Sequence, residues 1–207
     1  MIYQEAIDFY EDNALKKLIF PILFVYFSIF TGCNTLQINY KGSDKGLVIL
    51  TLTANKEDPI QDYTLRIRKK DKSATGGFGY VPHNLFRPTP CDFEERYYHG
   101  FVKVLKLEPG EYEVFNFVLG TRSGIIYTAK EDFSAPFTVK EGETIYIGEY
   151  WFASIKKKDF LGQTSRRFYI TISDRGGRDI PIAIKKEPTI RDDWIRVQIP
   201  VGERFGN

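Results

Sequence analysis

The chain predicts an all-β fold, an antiparallel β-sandwich with one short helix, and three observations carry it. Aromatic residues make up 15% of the 207 residues and β-branched residues are frequent, which favours strands. Short apolar runs, several with period-two alternation, recur between turn-forming clusters at the spacing of a sandwich. After the first 33 residues only one stretch carries the start and stop signals of a helix.

Taken in order, Asn34 to Tyr40 reads as a short first strand and Lys41 to Gly46 as a polar connection. Leu47 to Ala54 (LVILTLTA) begins apolar on both faces, as a central strand does. Tyr63, Leu65 and Ile67 alternate with Thr64, Arg66 and Arg68, giving one buried and one wet face. Phe101 to Leu107 and Tyr112 to Leu119 flank Glu108-Pro109-Gly110-Glu111, where Pro sets its own φ and Gly accepts a positive one; this predicts a hairpin. Phe137 to Val139 and Ile145 to Trp151, around Lys140-Glu141-Gly142-Glu143, predict a second. Arg167 to Ser173 and Trp194 to Ile199 supply the last strands, the latter with Ile195, Val197 and Ile199 facing one way. Between them, Asp179 to Lys186 reads as the one helix, with Pro181 in its first turn, Lys185 and Lys186 opposing the dipole at its end, and Pro188 stopping it. Its expected place is over an open edge or end of the sandwich.

The N-terminal stretch has a different character. Lys16-Lys17 precedes Leu18 to Phe30, a run without a charge, and the small residues Thr31 and Gly32 follow. These are the three parts of a helical signal segment, and the run is too short and too interrupted by Pro21 for a transmembrane span of about 20 residues. The acidic lead Met1 to Ala14 opposes the usual positive start and reads as a start codon placed too early. Phe30-Thr31-Gly32-Cys33 resembles the lipobox of bacterial lipoproteins. That resemblance implies a diacylglyceryl group on the Cys33 thiol, cleavage just before it, and a membrane partner through this anchor. It also implies a cell-envelope location, with Asn34 after the cysteine favouring the outer membrane over the inner. The domain plan is then residues 1–32 as signal peptide, 33–46 as lipidated N-terminus and tether, and 47–207 as the β-sandwich.

Leu107-Glu108-Pro109-Gly110-Glu111-Tyr112, with Phe137-Thr138-Val139 and Gly142 to Gly148, is similar to prealbumin-like (immunoglobulin-like) β-sandwich domains of uncharacterised bacterial envelope proteins. The resemblance covers about Leu47 to Ser173. Its motifs are structural, so it implies a fold and transfers no catalytic residue.

Removing the first 32 residues takes away two lysines and four carboxylates and raises the net charge from +2 to +4. With no arginine-rich helix or aromatic platform beside that modest charge, no nucleic-acid partner is expected. Acylation of Cys33 would leave Cys91 as the second of two cysteines, without an intrachain disulfide partner.

Candidate chemistry is sparse. His83 and His99 stand eight residues either side of Cys91, with Asp92, Glu94 and Glu95 near in sequence. They could supply a zinc or copper site, or a Cys-His nucleophilic pair, but the spacing matches no short metal motif. No catalytic residue, metal or cofactor is therefore expected, and a metal-dependent or thiol enzyme is the weakest alternative. Gly76-Gly77-Phe78-Gly79-Tyr80 leads into Val81-Pro82 rather than a helix, which argues against phosphate binding. Phe78, Tyr80, Tyr97 and Tyr98 could form an aromatic surface for a polysaccharide, a small ligand or an envelope protein partner. Lys156-Lys157-Lys158 with Arg166-Arg167, around Phe160-Leu161-Gly162, is a basic cluster suited to anionic lipid or simply to a solvated hairpin tip. The expected function is thus a lipid-anchored envelope protein presenting a β-sandwich interaction module without catalysis, with a carbohydrate or small-ligand binder as the alternative.

Overall fold

The computed structural model describes residues 35–82, 88–158, 160–200 and 204–206. The signal segment, Cys33 and His83 lie outside the described residues. The strands run β1 (Gly46–Asn55), β2 (Ile60–Lys69), β3 (Thr75–Tyr80), β4 (Phe93–Glu94), β5 (Tyr98–Leu107), β6 (Gly110–Thr121), β7 (Ile126–Thr128), β8 (Ala135–Val139), β9 (Thr144–Lys158) and β10 (Thr164–Ser173). A helix, α1 (Gly176–Lys186), a 3-10 turn (Asp192–Trp194), β11 (Ile195–Val197) and β12 (Arg204–Gly206) complete the chain. Among the described residues strand accounts for 55% and helix for 9%, so the all-β class holds.

Two sheets face each other. The larger has the order β12-β10-β9-β1-β5-β4, with β11 also on β9; the smaller has β3-β2-β6-β7, with β8 also on β6. Pairing is antiparallel except where β9 meets β1 and β11, which it does in parallel. As its apolar composition predicts, β1 is central, and Val48, Leu50 and Leu52 point into the core against Leu65, Phe117 and Tyr150. Tyr63, Leu65 and Ile67 are likewise buried, whereas Arg66 is exposed.

Neither predicted hairpin forms. The turn at Glu108-Pro109 carries the chain from β5 in the larger sheet to β6 in the smaller, and the turn after Val139 carries it from β8 in the smaller to β9 in the larger. Each is an arch between sheets. Proline and glycine reverse the chain in either case, and they do not choose which sheet the returning strand joins. At the first arch the Tyr112 hydroxyl donates to the Glu108 carbonyl at 2.8 Å, and its ring stacks on Phe137.

Gly148 corrects the face of everything after it. Ile145 and Ile147 point into the core and Tyr146 outward. Strict alternation would then turn Glu149 inward. Instead the register shifts between Ile49 opposite Tyr146 and Thr51 opposite Glu149, and the extra residue is Gly148 at φ +101°. Such a bulge needs glycine, and it sends Glu149 outward and Tyr150 inward.

The helix begins at Gly176, three residues before the predicted start, so Pro181 lies inside it. It does not cover an edge. It lies on the outer face of the larger sheet, where Ala183, Ile180 and Ile184 pack with Ile49, Val102 and Tyr146. Residues 35–40 make isolated bridges, Thr35 to Thr75 and Asn39 to Lys106, in place of a continuous strand, and Leu36 is buried in the core. In β11, Ile195 is partly buried but Val197 is exposed, against the expected common face. Thr35 to Asn207 forms a compact unit in its own right, and the core side chains among the described residues run from Leu36 onward.

Candidate interaction surface

Strand register defines the two ends of the sandwich. Gly46 lies opposite Leu107, and Leu47 opposite Thr144, at one end; Asn55 lies opposite Tyr98 at the other, where Ile60 meets Thr121. Thr35 bridges Thr75, which pairs with Arg68, so the chain enters at the first end. The chemistry that sequence singles out gathers at the second.

There β9 and β10 run on after β1 has stopped. The last β1 partner on β9 is Phe152, yet β9 and β10 continue through Ile155–Arg167, Lys156–Arg166, Lys157–Ser165 and Lys158–Thr164. Four rows of strand extend about 13 Å beyond the sheet. The base is braced, since Arg166 donates to Asp58 at 2.6 Å and Ser154 donates to the same oxygen at 2.6 Å. At the apex Phe160 is 95% exposed and Leu161 69%, with Gly162 at φ +78° making the turn. Lys156, Lys157, Lys158 and Arg167 are all exposed below it, and none has an ion pair among the described residues. The same end presents Ile125 and Ile126, both exposed, and Tyr97, 55% exposed with the Arg96 guanidinium 4.9 Å from its ring centre. An open cleft of about 550 Å³ lies among Lys56, Asp58, Arg122, Ile125 and Tyr127.

The predicted aromatic surface is only partly there. Phe78 and Tyr80 are buried, because the alternation of edge strand β3 turns both toward the core; Tyr80 stacks on Phe101 and meets His99 edge-on. Tyr97 is exposed, and Tyr98 is half-buried with its hydroxyl donating to the Glu95 carboxylate. Cys91 is exposed ahead of β4, whereas His99 is buried on β5, so the two occupy different environments. Among the described residues no three histidine, cysteine or carboxylate side chains converge to hold a metal. Among them also, no helix is long and apolar enough to cross a membrane.

A second cluster escaped the sequence reading. On the outer face, Glu149 accepts from Thr53 at 2.7 Å, Arg178 at 2.7 Å and Ser173 at 3.0 Å. Arg178 also donates to Asp179 at 2.8 Å, and the Tyr146 hydroxyl donates to Asp179 at 2.6 Å. Burial alone would push the Glu149 carboxyl up. Hydrogen bonds from Arg178 and Thr53, with the Arg178 charge, outweigh it and hold the carboxyl below the ordinary range. Burial first, then the Asp179 charge, pushes the Tyr146 phenol up. Both carboxylates are fully engaged inside the protein, so the cluster fastens the first turn of α1 to β1 and β9. The visible signal was Glu149 itself, a carboxylate next to a glycine inside the apolar run Ile145 to Phe152.

Fold and surface together define an all-β sandwich domain with a basic, apolar-tipped end. No protein-family model, curated protein or solved structure matches this chain.

Proposed function

We propose that this chain is a lipid-anchored cell-envelope protein that presents its β-sandwich as a non-catalytic interaction module. The observation that carries this reading is the order Lys16-Lys17, an uncharged run from Leu18 to Phe30, then Thr31-Gly32-Cys33. A diacylglyceryl thioether at Cys33 would place two acyl chains in the bilayer, and each buried methylene contributes about 0.8 kcal/mol, enough for stable anchoring where one chain binds only marginally. The seating of Thr35 supports it. One residue, Asn34, separates Cys33 from Thr35 at the first bridge of the sandwich, a reach of about 7 Å over two Cα steps, so the domain would stand directly on the membrane at its Gly46 end. The prealbumin-like reading of the fold rests on the resemblance of the Leu107 to Tyr112 and Phe137 to Gly148 motifs, and the two facing sheets are compatible with it.

The test is metabolic labelling with radioactive fatty acid. Wild type takes up label; Cys33→Ala takes up none and runs larger, with its leader uncut. Unlabelled wild type, or a labelled Cys33→Ala, overturns the anchor and leaves a plain signal peptide or an uncleaved segment. A second reading, a small-ligand or carbohydrate binder, rests on the cleft between Asp58, Arg122 and Tyr127. Saccharide-dependent chemical shifts at those residues would bring it forward.

A further inference from the structure

We infer that the β9–β10 tip is an insertion site for an anionic lipid surface, with Phe160 and Leu161 entering the interface and Lys156, Lys157, Lys158 and Arg167 meeting the headgroups. Phe160 and Leu161, at the apex of a protruding hairpin, stay largely exposed among the described residues. Phe160 is the most exposed large apolar side chain of the described residues. Immediately below stands a collar of four cations without ion pairs among the described residues. Apolar apex and basic collar in that order match the depth profile of a bilayer surface, where acyl chains lie beneath a layer of phosphate. A polyanion would use the collar and leave the apex idle. The brace from Arg166 and Ser154 to Asp58 holds the ribbon in position before it meets a surface, so little order has to be gained on docking. Ile125 and Ile126 at the same end add apolar area for a tilted approach.

The inference does not depend on the lipid anchor, because the site lies at the end of the sandwich opposite Thr35. It therefore suits a surface other than one that would hold Cys33. The experiment uses residues 35–207, which carry no acylation site, in flotation with vesicles of phosphatidylcholine alone and with added phosphatidylglycerol. Binding is expected only to the anionic vesicles and is expected to weaken with salt. Lys156→Glu/Lys157→Glu/Lys158→Glu should lower partition by more than a hundredfold, given roughly fivefold per lost cation. Phe160→Asp/Leu161→Asp should abolish it while leaving the circular dichroism spectrum unchanged. Phe160→Trp should shift its fluorescence to the blue on binding. Absence of binding to anionic vesicles overturns the inference. So does retention by the Phe160→Asp/Leu161→Asp protein, which would mark the tip as a polyanion or protein contact.

Discussion

Arg178 on α1 and Glu149 on β9 stand 29 residues apart in sequence and 2.7 Å apart in space, and theirs is the central bond of the cluster that seats the helix. Glu149 is 5% exposed and also holds Thr53 and Ser173. Removing it leaves Arg178 with Asp179 and the more distant Glu95, and three donors short of an acceptor. Glu149→Ala should cost about 3 kcal/mol, read from the midpoint of denaturant unfolding, and should open the 174–186 segment to protease. A loss below about 1 kcal/mol would mean that the apolar contacts of Ala183 hold the helix by themselves.

The same carboxyl gives the fold a pH dependence. The folded states of Glu149, Glu113 and Asp132 all hold their carboxyls below the unfolded value. Their contribution is therefore complete above the unfolded carboxylate range, near pH 4.5, and is lost as pH falls through the depressed folded values. Unfolding free energy should be flat from about pH 7 to 5 and then drop on acidification. In Glu149→Gln the acid slope should be shallower; an unchanged slope would remove Glu149 from this role.

Gly148 is the second sensitive point. Its φ of +101° is strained for any other residue, and a Cβ there would meet the Ser173 carbonyl at 3.1 Å. Gly148→Ala should cost about 1–3 kcal/mol, whereas Gly177→Ala, with nothing near its Cβ, should leave stability unchanged or raise it. Thermal unfolding of the two variants side by side decides the matter.

Tyr63 and Tyr80 place hydroxyls in the core without a hydrogen-bond partner among the described residues. Burial pushes both phenols up. Removing an unsatisfied buried hydroxyl is neutral or stabilising, so Tyr63→Phe should hold or raise the melting temperature. A drop of several degrees would point to an internal water bound at that hydroxyl.

Sequence reasoning reached the sandwich through local signals that survive burial: the apolar start of β1, the alternation Tyr63-Leu65-Ile67, and the lysines ending α1. It missed the arches because Pro109-Gly110 reports a reversal of direction, and the choice between hairpin and arch is made by which sheet offers a free edge, a fact spread over the whole chain. It turned Phe78 and Tyr80 outward because glycine-rich segments usually read as loops, whereas here Gly77 and Gly79 occupy the outer positions of an edge strand and leave the aromatics inside. The basic tip was legible as composition. Its reach was not, since only the register of β9 against a shorter β1 shows how far the ribbon extends.

The parallel neighbour of β1 is β9, with Leu47 opposite Thr144 and Ala54 opposite Phe152. A chain that emerges N-terminus first therefore presents its central strand long before the strand that completes that side. Contacts this distant along the chain make folding slow and late, since the intervening loop must close before they form. During synthesis β5 pairs one side of β1 first, while the other side stays open until β9 has emerged. Until then Val48-Ile49-Leu50 offers an unpaired apolar edge, the feature that makes a partly folded chain prone to aggregate.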